Sequence, residues 1–89
     1  MRIFKYTLEI TDHQIVMMPA EAKFLDIQIQ NGEPQLWVLC DGSAPLTERH
    51  ITMYGTGHHP PSNVGEYIAT FQLKNGAFVF HAFETKIPA

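Results

Sequence analysis

The sequence predicts an all-β fold, a small antiparallel sandwich or partly open barrel of six to seven strands. Apolar and polar residues alternate with period two along most of the chain. Turn-forming clusters of Gly, Pro, Asn and Asp recur at roughly 8–12-residue spacing. The one stretch of helical propensity, Ala20-Glu21-Ala22-Lys23, is too short for a helix.

The first strand is read from Phe4, Tyr6, Leu8 and Ile10, alternating with Lys5, Thr7 and Glu9. Thr11-Asp12-His13 is a turn, because Thr and Asp side chains bond nearby backbone N–H groups. Gln14 to Met18 forms a second strand that Pro19 ends by removing a ladder donor. In the third, Leu25, Ile27 and Ile29 share one face and Asp26, Gln28 and Gln30 the other. Asn31-Gly32 accepts the positive φ angles of a type I′ turn and predicts a hairpin. Its return arm, Gln35 to Cys40, is apolar on both faces, so it belongs at the centre of a sheet or at an interface.

Asp41-Gly42-Ser43-Ala44-Pro45 is a loop, and Thr47 to Tyr54 resumes the alternation. Residues 55–65, with three glycines and two prolines, are irregular. Glu66 to Leu73, the turn Asn75-Gly76 and Phe78 to Phe83 make a second hairpin, and Glu84 to Ala89 reads as a loose tail.

The 89 residues fit a single domain, 1–89. A chain this short buries only about 60–65% of its unfolded surface, so its stability is marginal. Cys40 is the lone cysteine, which excludes an internal disulfide and suits a reducing cytosol. Charged residues are 17% of the chain against 45% apolar. So few charges on a small domain predict surface hidden by self-association or a ligand. Six basic residues are scattered among nine acidic ones, with no stripe to track a phosphate backbone, so duplex nucleic acid is not an expected partner. The first residues lack the apolar core of a signal peptide. No apolar run approaches the ~18 residues that cross a membrane. A cytosolic setting follows as the expectation.

Several segments together carry a family resemblance. They are Met18-Pro19-Ala20-Glu21-Ala22-Lys23, Leu25 to Gly32 with Leu36-Trp37, Tyr54-Gly55-Thr56-Gly57-His58, Gly65 to Gln72, and Val79 to Glu84. The chain resembles, over nearly its whole length, small bacteriophage and prophage proteins known as a domain of unknown function. That resemblance implies a phage accessory protein in the bacterial cytoplasm, and it assigns no catalytic residues. Small phage proteins often act by binding, sequestering a host signal or blocking a host protein.

The loop Gly55-Thr56-Gly57-His58-His59 is the first candidate site. Glycines let backbone N–H groups approach an anion, and Thr and His side chains add donors. No helix follows, so phosphate-binding helix motifs do not apply. The candidate ligand-binding set is Arg49, His50, Tyr54, Gly55, Thr56, Gly57 and His58, with Arg49 as a planar phosphate clamp. As a plain strand-ending turn, the same glycines would only supply positive φ.

The five histidines (His13, His50, His58, His59 and His81) show no metal-ligand spacing, so no metal or cofactor is expected. Cys40 lies in an apolar run and Ser43 in an ordinary turn, so neither reads as a nucleophile. The chain is therefore read as non-enzymatic. Phe78, Phe80 and Ala82 point one way and Val79, His81 and Phe83 the other, which gives that strand aromatics on both faces. With Trp37, the residues Phe80 and Phe83 are the expected subunit interface of a homo-oligomer. The leading expectation is a binder of a small anionic ligand, a nucleotide signal of host anti-phage defence. The alternative is a module that binds a host or virion protein.

Overall fold

A computed structural model describes residues 1–86. Its seven strands are β1 (Arg2–Thr7), β2 (His13–Pro19), β3 (Lys23–Gln30), β4 (Glu33–Cys40), β5 (Leu46–Gly55), β6 (Glu66–Leu73) and β7 (Phe78–Glu84). They form two antiparallel sheets, ordered β1-β4-β3 and β2-β5-β7-β6. The sheets stack as a sandwich and do not close into a barrel.

Alternation decides which side chains meet between the layers. β4 sends Leu36, Val38 and Cys40 inward, where each is fully buried. Met18 from β2, Ile27 from β3, Ile51 and Met53 from β5, Ala69 and Phe71 from β6, and Ala82 from β7 complete one shared core. The apolar pattern of β4 follows from its central place, with β1 on one side and β3 on the other. Its outward Trp37 is half-buried although no second layer covers it. Lys5 of β1 and Asp26 of β3 stand opposite it in register. The Lys5 ammonium lies 5.5 Å from the Trp37 ring centroid. Long side chains of neighbouring strands thus shelter the indole.

The Asn31-Gly32 turn has φ of 53° and 80° and joins Gln30 directly to its partner Glu33, as a two-residue type I′ hairpin requires. The second hairpin differs from the expected tight turn. Leu73 pairs with Phe78, so Asn75-Gly76 sits inside a four-residue connection in which Lys74 also takes positive φ.

Three further boundaries differ from the sequence reading. β1 stops at Thr7; the Leu8 N–H donates to the Pro34 carbonyl at 2.9 Å and Leu8 still enters the core. In β3 a bulge between Phe24 and Asp26 breaks the period. Phe24 packs on the core, and Leu25, expected beside Ile27, is exposed. The tail is not loose from Glu84. That residue ends β7, and the Thr85 N–H donates to the His50 carbonyl at 2.9 Å. The remainder of the expected loose tail, residues 87–89, lies outside the described residues.

Candidate functional site

Because Ile51 and Met53 of β5 point into the core, His50, Thr52 and Tyr54 point out of the four-stranded sheet. Directly opposed residues of antiparallel strands share a face. Thr52 pairs with Phe83, which pairs with Tyr67; Tyr54 pairs with His81, which pairs with Thr70. Two neighbouring rows therefore cross β5, β7 and β6 on the outer face.

The rows interlock. Phe83 receives Tyr54 and Tyr67 edge-to-face, with centroids 5.9 and 5.6 Å away. His81 Nε2 lies 2.7 Å from Thr56 Oγ1, and its Nδ1 lies 2.9 Å from Thr70 Oγ1. Thr70 in turn shares a 2.7 Å hydrogen bond with the Tyr67 hydroxyl. A neutral imidazole donates through one nitrogen and accepts through the other, so this chain fixes the ring whichever tautomer it holds. Thr56 and His81 have nucleophile-and-base spacing. In the orienting position, however, stands the Thr70 hydroxyl, which cannot offset an imidazolium as a carboxylate does. The arrangement sets an imidazole and two threonine hydroxyls beside the aromatic rings.

The structure gathers part of the sequence-predicted set at one end of this face. Tyr54 and Gly55 end β5, and Thr56, Gly57 and His58 form the turn beyond it. The Thr56 N–H donates to the Val79 carbonyl and the His58 N–H to the Gly55 carbonyl, both at 3.1 Å. Gly57 needs its φ of +91°, which an L side chain adopts only with strain. His50 is on the same face but further along β5. Its ring stacks on His13 with centroids 5.1 Å apart, and its Nδ1 lies 3.0 Å from His13 Nε2.

Arg49 is turned the other way. Its Nη2 donates to Glu84 at 3.0 Å and its Nη1 to the Ala22 carbonyl at 2.8 Å. The guanidinium lies 4.4 Å from the Phe24 ring centroid. It ties the end of the four-stranded sheet to β3 and is remote from the Tyr54 end. The three expected interface aromatics also part company. Trp37 is on the outer face of the three-stranded sheet and Phe83 on that of the four-stranded sheet. Phe80 packs inward, 5.9 Å from Phe71.

Sequence reasoning recognised that His81 and Phe83 point together but not that Thr56, Thr70 and Tyr67 meet them. That meeting depends on register between strands separated by an irregular loop. Two groups have shifted acidity elsewhere. Hydrogen bonds from the Ser43 hydroxyl and N–H lower the Asp41 pKa, and burial, then the nearby Cys40, raises that of Tyr6. Among the described residues, no three His, Cys, Asp or Glu side chains are grouped to hold a metal ion. No helix among them is long and apolar enough to cross a membrane.

Fold and site define a small two-sheet β-sandwich that displays rings and hydroxyls on one sheet face. Within that class, the chain belongs to the family described as Domain of unknown function (DUF7352), whose model matches residues 1–89. Comparisons with curated proteins and with solved structures find no match.

Proposed function

We propose that this protein is a non-enzymatic binding module that captures a protein partner on the Tyr54–Phe83–Tyr67 face of its four-stranded sheet. The observation that carries the reading is that aromatic cluster, in which Tyr67 is 59% exposed and Tyr54 and Phe83 are half-buried beside it. Clustered aromatics are frequent anchors of protein interfaces. The paired positions of the face, from β2 to β6, include no outward-pointing Lys or Arg. The one outward carboxylate in those positions, Glu48, lies toward the β2 end, 3.7 Å from His50, so the aromatic end itself carries no ion to desolvate. The hydroxyl chain through His81 adds orientation without burying an ion. A phage or prophage accessory protein acting on a host protein in the bacterial cytoplasm fits this reading.

A second reading, sequestration of a small anionic nucleotide of host defence, is favoured by the rings beside the Gly57 turn, which could stack a base. Its weak point is charge, since Arg49 is committed to Glu84. The cleft beside that pair balances Lys23, Arg49 and Lys86 against Glu21, Glu66 and Glu84.

Affinity capture from bacterial lysate, with the wild-type chain and Tyr67→Ser in parallel, tests the first reading. One stoichiometric protein held by the wild type and lost by the variant is the expected result. Calorimetric titration with cyclic di- and trinucleotides and ADP-ribose cyclisation products tests the second. Saturable nucleotide binding with no captured protein would reverse the order of the two.

A further inference from the structure

The four edges of the two sheets are not protected alike. β1 carries Arg2 and Lys5, and β3 carries Lys23, Asp26 and a bulge. β6 carries Glu66 and a bulge between Tyr67 and Ala69. Charges and bulges are the usual devices that keep an edge from pairing with another strand. β2, His-Gln-Ile-Val-Met-Met-Pro, has no Asp, Glu, Lys or Arg, and its register with β5 runs without a shift. Its outward Ile15 and Met17 are 50% and 46% exposed.

The backbone of this edge can be assigned. The Asp12 carbonyl accepts from Met53 N–H, the Met18 carbonyl from Thr47 Oγ1, and the Ala20 N–H donates to Pro45. Even-numbered residues therefore bond toward β5. Since N–H and C=O of one residue point to the same side of a strand, those of His13, Ile15 and Met17 point away from β5, on the side where no strand of the sheet pairs with β2. Such a row binds an extended strand.

We propose that β2 pairs with β2 of a second copy of this chain, antiparallel about a two-fold axis at Val16, to make one continuous eight-stranded sheet. The seven-residue strand is then matched end to end. Ile15 faces the partner's Met17 as a doubly bonded pair, twice over. His13 N–H reaches the partner's Pro19 carbonyl, and Pro19, lacking an N–H, leaves no donor unpaired there. The exposed Ile15 and Met17 cover one another on the outer face. No two residues of like charge are brought opposite, which makes the strand self-complementary and commits the occupant to a second copy. This edge is distinct from the aromatic cluster, so the pairing stands independently of the proposed function.

Sedimentation of the whole chain tests it. The wild type should sediment at twice the mass of one chain. Met17→Pro removes an N–H that β5 does not use, and should give a folded particle of half that mass. Ile15→Lys with Met17→Lys, which sets ammonium against ammonium across the axis, should do the same without touching backbone donors. Circular dichroism checks that both variants keep their strands. A wild type that stays monomeric, or a dimer that survives both folded variants, would overturn the proposal.

Discussion

The two outer faces of the sandwich begin from similar material and end differently. On the three-stranded sheet, Trp37 points outward from the central strand, but Lys5 lies over its ring. Lys5 also donates to Gln30 at 2.8 Å, and Gln28 to Asp26 at 3.1 Å, so long polar side chains lace across the surface. On the four-stranded sheet, Phe83 is half-buried as well, but its cover is made of other rings, Tyr54 and Tyr67, and Tyr67 is itself 59% exposed, so apolar surface is still presented. An outward aromatic is therefore not in itself a binding surface. What stands at the adjacent register positions decides whether it is sheltered or presented.

Both faces ride on one core, and the harshest test of the comparison is to damage that core. Leu36 is fully buried between the sheets. Leu36→Ala should lower unfolding free energy by about 2–5 kcal/mol, the usual cost of such a cavity, read by urea denaturation. A loss much smaller than this would mean that the layers are not held by shared packing.

The next effect separates Arg49 from the presented face. The side chains of Arg49 and Glu84 are only 18% and 13% exposed. Removing one partner strands the other, and the penalty for this partly solvated pair should be about 2–3 kcal/mol in Arg49→Met. Arg49→Met combined with Glu84→Leu should recover much of the loss. Binding at the Tyr54 end should persist in the folded double variant. If binding instead disappears there while stability recovers, Arg49 belongs to the recognition surface after all.

Phe83→Ala attacks the presented face itself. It removes two edge-to-face contacts, worth together about 1–3 kcal/mol, so a modest stability loss should accompany loss of partner capture. Trp37→Ala on the other face should leave capture intact. Equal loss of capture from both variants would erase the distinction between the faces.

The fold was largely legible in the sequence, because period two and turn chemistry are local signals. Ile51 and Met53 against Thr52 and Tyr54, and the Asn31-Gly32 hairpin, follow from a few residues each. The bulge at Leu25 was not legible: one added residue reverses the period, and its cause lies in the pairing with β4. The site divided in the same way. Tyr54 to His58 are contiguous and were found together, as was the shared direction of His81 and Phe83. Their link to Thr56, Thr70 and Tyr67 is made by register across three strands. Arg49, expected beside Tyr54 as part of the candidate ligand set, is placed away from it for a related reason. Its parity with Ile51 turns it inward, where Glu84 lies close in space and 35 residues away in sequence.

The smallest effect bears most directly on why the faces differ. If Lys5 shelters Trp37, then Lys5→Ser should expose the indole while changing stability by only about 0.5–1 kcal/mol, the scale of an exposed cation–π contact. Trp37 is the chain's single tryptophan, so its fluorescence reports this face alone. In the variant, emission should move to longer wavelength and quenching by acrylamide should rise. Capture of the proposed partner by the opposite face should be unchanged, since no residue of its aromatic cluster is altered. Unchanged emission and quenching would show that groups other than the lysine shield the ring, and the contrast between the faces would then rest on backbone crowding around the central strand.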